Sequence, residues 1–109
     1  MQIAKKPTLR TEFDSDRMLG NAERTTDFLK NLTHTSRLMI LCRLLEEPAT
    51  VGELEEMLSV HQTSVSKQLA RLRKDGLVTS QRDGRSIYYS LADERARRVV
   101  ETLYEVFCD

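Results

Sequence analysis

The sequence predicts a mainly α-helical domain with one small β-hairpin, and three observations carry that prediction. Apolar residues recur at intervals of three and four along most of the chain, the spacing that lines one face of a helix. Glycine and proline number only four and two in 109 residues and tryptophan is absent, which suits helices packed through Leu, Val and Ile. One stretch, LVTSQRDGRSIYYSL, breaks the helical period with two β-rich runs around Asp83-Gly84, a dipeptide that favours a tight turn. A chain of this length buries one modest core, so a single domain is expected. It occupies residues 15–109, behind an unpatterned, flexible arm at residues 1–14 that contains Pro7.

Taken in order, helix one begins at Ser15 and shows a stripe of Met18, Ala22, Thr25, Leu29 and Leu32. Thr33 or Thr35 is placed to cap helix two, whose stripe is Leu38, Leu41 and Leu45, flanked by Ile40 and Leu44 and ended by Pro48. Helix three opens at Thr50 with Glu53 three residues later, a capping box, and turns Val51, Leu54 and Leu58 inward. Helix four, in TSVSKQLARLRKDG, buries Val65, Leu69 and Leu72 and stops at Gly76. After the hairpin, Asp93 caps helix five, with the stripe Ala96, Val99, Val100, Leu103 and Phe107. Two short helices joined by a turn and followed by a hairpin form a winged helix-turn-helix, α1-α2-α3-α4-β-β-α5.

Net charge is zero, yet its distribution is uneven. Residues 61–85 hold six bases against two acids, whereas residues 46–58 hold five acids and no base. A basic module within a neutral chain suits an anionic partner. With Val65, Leu69 and Leu72 inward, the outer face of helix four carries Thr63, Ser64, Lys67, Ala70, Arg71 and Lys74, a short-chained, hydroxylated, basic surface. Gln62, Thr63, Ser64, Ser66, Lys67 and Gln68 are candidates to approach base edges in a major groove, and Arg71 and Lys74 to hold phosphates. Arg82 and Arg85 flank the turn of the wing and suit a minor groove or its backbone.

An enzyme is not expected: two histidines at helix starts and two distant thiols assemble no nucleophile, base and orienting group. No apolar run nears the roughly 20 residues that span a bilayer and the N-terminus has no signal-peptide core, so a cytoplasmic protein without a membrane role is expected. In such a compartment Cys42 and Cys108 form no standing bridge, and their spacing fits neither a C-x-x-C redox motif nor a zinc framework. Cys42 sits about 60° from the centre of the helix-two stripe and Cys108 about 110° from that of helix five, at 3.6 residues per turn. If those two helices pack together, a conditional bridge between the thiols is sterically feasible, with Arg43 close enough to favour a thiolate; the other reading is that Cys42 merely packs and Cys108 is incidental.

The segments FLKNLTHTSRLMILCRLLEE, TVGELEEMLSVHQTSVSKQLARLRKDGLV and GRSIYYSL together resemble the ArsR/SmtB family of dimeric bacterial transcriptional repressors, a likeness that runs from about residue 20 to the end. The resemblance implies a homodimer joined through its first and last helices, with helix four reading a palindromic double-stranded operator. It also implies positions for metal ligands, and these are mostly lost. The Cys-x-Cys position at the start of helix three reads Thr50-Val51-Gly52, and the helix-five positions read Asp93, Arg95, Val106 and Asp109. Arg and Val cannot ligate a metal, and His34 and His61 read as caps or surface residues, so no metal or other cofactor is expected.

The thiols match better. A sulfide-responsive, persulfide-sensing subgroup of the family has one cysteine in helix two within an ILC stretch and one at the end of helix five. This chain reads MILC at residues 39–42 and VFCD at residues 106–109. The resemblance therefore implies a repressor that responds to reactive sulfur species, or to oxidants, by cross-linking Cys42 and Cys108. The alternatives are a repressor with another effector and structural cysteines, and a winged helix that binds protein.

Overall fold

The computed structural model describes residues 12–59 and 62–108. Most of the expected N-terminal arm, together with His61 and Asp109, lies outside the described residues. Helix α1 spans Ser15–Lys30, α2 Thr35–Leu44, α3 Val51–Leu58, α4 Gln62–Lys74 and α5 Glu94–Cys108. Strands β1 (Ala49–Thr50), β2 (Val78–Asp83) and β3 (Ser86–Leu91) form one antiparallel sheet in the order β1-β3-β2. The winged helix-turn-helix expected from the sequence is the fold observed, with one strand added. Strand β1 pairs Ala49 with Tyr89 and Thr50 with Tyr88. Two residues directly after Pro48, the second of them the α3 cap Thr50, carry no alternating pattern, so nothing in the sequence marked them as a strand.

Local chemistry explains most boundaries. The Asp14 carboxylate accepts from the Asp16 and Arg17 amides, 3.0 and 3.1 Å, and starts α1. The capping box of α3 forms as expected: Thr50 Oγ1 accepts from the Glu53 amide while the Glu53 carboxylate accepts from the Thr50 amide at 2.9 Å. Those bonds hold the Glu53 carboxyl below its ordinary range. Asp93 accepts from the Ala96 amide at 2.8 Å at the start of α5. Helix α4 ends in a Schellman motif, with Gly76 at φ 79° and the Leu77 amide donating to Leu72 O.

Three expectations need correction. His34, and neither Thr33 nor Thr35, is the N-cap residue of α2; it makes no side-chain cap bond, and the Thr33 hydroxyl instead donates back to Lys30 O. In the wing, Asp83 pairs with Ser86, so the two-residue loop is Gly84-Arg85. Gly84 takes φ 65° at the first loop position, the place where a II′ turn needs it, and Arg85 lies in the turn instead of beside it. The buried face of α2 is Arg37, Ile40, Leu41 and Leu44, while Leu38 and Leu45 are half-buried on its flank.

The core gathers Ile40, Leu41 and Leu44 of α2, Leu54 of α3, Val65, Leu69 and Leu72 of α4, Leu77 and Val78 beside the wing, and Val100 of α5. Helix α1 contributes no buried residue, and Phe28 is its side chain packed against the core. Met18, Leu19 and Leu29 of α1 and Val99, Tyr104, Val106 and Phe107 of α5 are exposed, Phe107 at 79%. No described helix is long and apolar enough to cross a membrane.

Leu54 is fully enclosed, so Leu54→Ala should cost about 2–5 kcal/mol of stability, read as a lowered denaturant midpoint. The exposed neighbour Glu56→Ala should stay within about 0.5 kcal/mol. Equal midpoints for the two variants would contradict this packing.

Candidate nucleic-acid interface and thiol pair

Burial of Val65, Leu69 and Leu72 fixes the rotation of α4 and turns its opposite face outward. Ser64, Ser66, Lys67, Ala70, Arg71 and Lys74 are all exposed there, and Gln62 and Thr63 belong to the first turn of the helix. Arg82 and Arg85 are exposed on the wing. Among the described residues, Lys67, Lys74, Arg82 and Arg85 have no carboxylate partner. Arg71 reaches Asp75 only at 4.0 Å on the surface, where an ion pair is worth little. The exposed cations of α4 and the wing therefore carry little charge compensation from their own chain.

Gln68 departs from its expected role. It lies half-buried at the flank of α4, and its Oε1 accepts from Arg37 Nη1 at 2.9 Å. Arg37 is the main residue that the reading of the sequence missed. The residue is only 7% exposed, and its guanidinium also donates to Asn31 O at 3.3 Å and Lys30 O at 3.4 Å. Burial and the nearby Arg71 push its pKa down while Asp75 pulls it up, and a guanidinium remains a cation throughout. The signal was present: Arg37 stands three, four and seven positions before Ile40, Leu41 and Leu44, a lone base in a buried stripe.

Cys42 lies about 150° around α2 from the centre of its fully buried face, at 3.6 residues per turn. That is farther than the edge position expected from the Leu38, Leu41, Leu45 stripe. It is nevertheless half-buried, because α5 packs on α2, and Arg97 of α5 donates to Leu45 O at 3.2 Å. Cys108, in the last turn of α5, is exposed. Burial pushes the Cys42 thiol up, and the like charge of Cys108 close by adds to it. Arg43 does not supply the expected activation: its guanidinium is engaged with Glu47, through the backbone carbonyl at 2.9 Å and the carboxylate at 3.6 Å. Cys42 on α2 is thus sheltered, and Cys108 at the end of α5 is open to solvent.

A helix-turn-helix with an exposed basic second helix and a basic wing defines a DNA-binding transcriptional regulator. Comparison with known proteins gives its family. Residues 34–80 match the family described as "Bacterial regulatory protein, arsR family". The chain is 38% identical over 104 residues to the biofilm growth-associated repressor of Agrobacterium fabrum, covering 95% of this chain and 89% of that protein. The fold matches reduced HlyU from Vibrio cholerae with a TM-score of 0.82 and 33% identity, covering 86% of this chain and 99% of that one. It also matches a homodimeric winged helix-turn-helix DNA-binding domain from Mycobacterium bovis with a TM-score of 0.72 and 28% identity, covering 85% and 86%. The chain belongs to the ArsR family of transcriptional regulators, and these relatives are regulators, not enzymes.

Because Cys42 is sheltered and its thiol is raised, an alkylating agent at neutral pH should modify Cys108 first, as peptide mapping would show. Alkylation proceeds through the thiolate, so labelling of Cys42 should keep accelerating above pH about 8.5, where an ordinary free thiol levels off. Equal labelling of both cysteines at neutral pH would contradict the placement of Cys42.

Proposed function

We propose that this regulator is a homodimeric repressor that holds a palindromic operator through α4 and the wing and releases it when Cys42 and Cys108 become bridged by reactive sulfur. What supports the reading is a sheltered cysteine on α2 and an exposed one at the end of α5, in a chain whose α4 and wing carry exposed cations. Dimerisation follows from the apolar residues left uncovered on α1 and α5, which a second copy would bury. A DNA-binding repressor of this kind acts in the cytoplasm and needs no resident metal or cofactor.

The chemistry balances without an external oxidant beyond the sulfur donor. Cys108 thiolate takes a sulfane sulfur from a low-molecular-weight persulfide, becoming Cys108–S–SH and releasing the donor thiolate. Deprotonated Cys42 then attacks the Cys108 sulfur, the S–S bond to the terminal SH breaks, and hydrosulfide leaves. The two cysteines are oxidised by two electrons and one sulfane sulfur is reduced to sulfide. Each further sulfane sulfur taken up before closure lengthens the bridge by one atom, which suits thiols too far apart for the roughly 7 Å Cα separation that a disulfide demands. A bridge formed in only one conformation acts as a covalent ligand: moving occupancy from 1:99 to 99:1 takes about 5.5 kcal/mol of differential stabilisation.

Two measurements test the reading. Lys67→Ala and Arg85→Ala should each weaken operator binding and lower the slope of log affinity against log salt by about one, the loss of one phosphate contact. A salt-independent interaction would favour a protein-binding module instead. Treatment with a persulfide donor should join the thiols, seen by intact mass as an internal bridge with zero or more added sulfur atoms, and should lower operator affinity. Cys42→Ser should abolish both effects. An affinity that ignores the donor, with no bridge in the mass spectrum, would favour an unrelated effector and structural cysteines.

A further inference from the structure

We infer that Arg37, with the Asn31–Asp75 hydrogen bond, is a clamp that fixes the recognition helix α4 to the C-terminal end of α1 and so sets the spacing between the two half-sites the dimer can read. The inference rests on the operator-binding dimer proposed above and concerns how its reading heads are held. Arg37 gives its three donor atoms to two elements at once. Nε and Nη2 bond the carbonyls of Asn31 and Lys30, at the end of α1, while Nη1 bonds Gln68 of α4. Carbonyls at a helix C-terminus lack intrahelical partners and carry the negative end of the helix dipole, so a buried cation is well matched there. Arginine has no acceptor, hence the atom of Gln68 that faces it must be the carboxamide oxygen.

A second strut lies beyond the last turn of α4. Asn31 Nδ2 donates to Asp75 Oδ2 at 3.1 Å, and Asn31 is itself buried. Gln68 and Asp75 are seven residues apart, two turns or about 10.5 Å of helix. Two attachments on one side of α4, separated by that length, resist both rolling and tilting of the helix relative to α1. Elsewhere α1 is loosely held by its own chain: it has no buried residue, and Phe28 near its end is its side chain packed against the core. In a dimer joined through α1, the direction in which each α4 leaves the interface then depends on this corner. A palindrome is read only when both recognition helices meet successive major grooves, about 34 Å apart.

The test uses a palindromic duplex enriched by the wild-type chain from a random pool, a duplex carrying one half-site, and a palindrome with its spacer lengthened by one base pair. Asp75 is exposed, so Asp75→Ala should fold normally and removes one strut; Arg37→Lys keeps the charge but cannot make the three bonds. Both variants should bind the half-site within about twofold of wild type yet lose about tenfold on the palindrome, the size expected of a coupling interaction. Their preference for the natural spacer over the lengthened one should shrink toward equality. Equal losses on half-site and palindrome, or an unchanged spacer preference, would overturn the clamp. If Arg37→Lys fails to fold by circular dichroism, Asp75→Ala alone decides. A wild-type chain that enriches no duplex would defeat the operator-binding reading itself, a different outcome from a wild type that binds and variants that match it.

Discussion

Everything in this fold leans on α2. A helix of ten residues packs against α3, α4, α5 and strand β3, so almost none of its circumference is free to be polar. Ile40, Leu41 and Leu44 are enclosed, and Leu38, Cys42, Arg43 and Leu45 are half-buried around them. Such a helix gains little from propensity and is stable only as the hub of its neighbours. Of its sheltered residues that are not plainly apolar, Cys42 and Arg37 are chemically telling. Cys42 is small and weakly polar, and is tolerated where α5 closes over it. Arg37 is neither, and is tolerated because the carbonyls of α1 and the carboxamide of Gln68 satisfy its three donor atoms.

Such a hub would let the proposed sensing and reading communicate in so small a domain. The sheltered thiol, the buried guanidinium and the contacts to α4 are all carried by ten residues of one rigid element. A force applied to α2 from the α5 side has few places to go except into the α3–α4 unit. Packed interiors do not deform smoothly, so a local change tends to select between discrete arrangements.

Much of this was legible from the residues. The capping box at Thr50 and Glu53, the inward triad of α4, Gly76 as a terminator and Asp93 as a cap all rest on local chemistry and appear as read. What escaped the sequence was decided by tertiary contact. Strand β1 exists because β3 passes beside it. The rotation of α2 is set by which flank its neighbours cover, and the stripes at Leu38 and at Ile40 are nearly equivalent as patterns. Loop position in the wing follows from register, which moved the turn one residue past Asp83-Gly84. Of the candidate DNA contacts, the cations and serines are placed outward, while Gln68 is drawn into the corner with Arg37. The places of the two cysteines, on α2 and at the end of α5, were legible, but their environment was not: Arg43 turns to Glu47, and burial pushes the Cys42 thiol up.

The uncovered face of α1 has a consequence for how such a protein behaves at low abundance. A helix with no enclosed side chain adds little to the stability of a lone copy, and in a dimer joined through α1 and α5 much of its ordering free energy would come from association. Copy number then becomes a thermodynamic variable alongside chemistry. Dilution after division would loosen the dimer before any thiol reacts, so promoter occupancy would vary more steeply than linearly with the amount of protein in the cell.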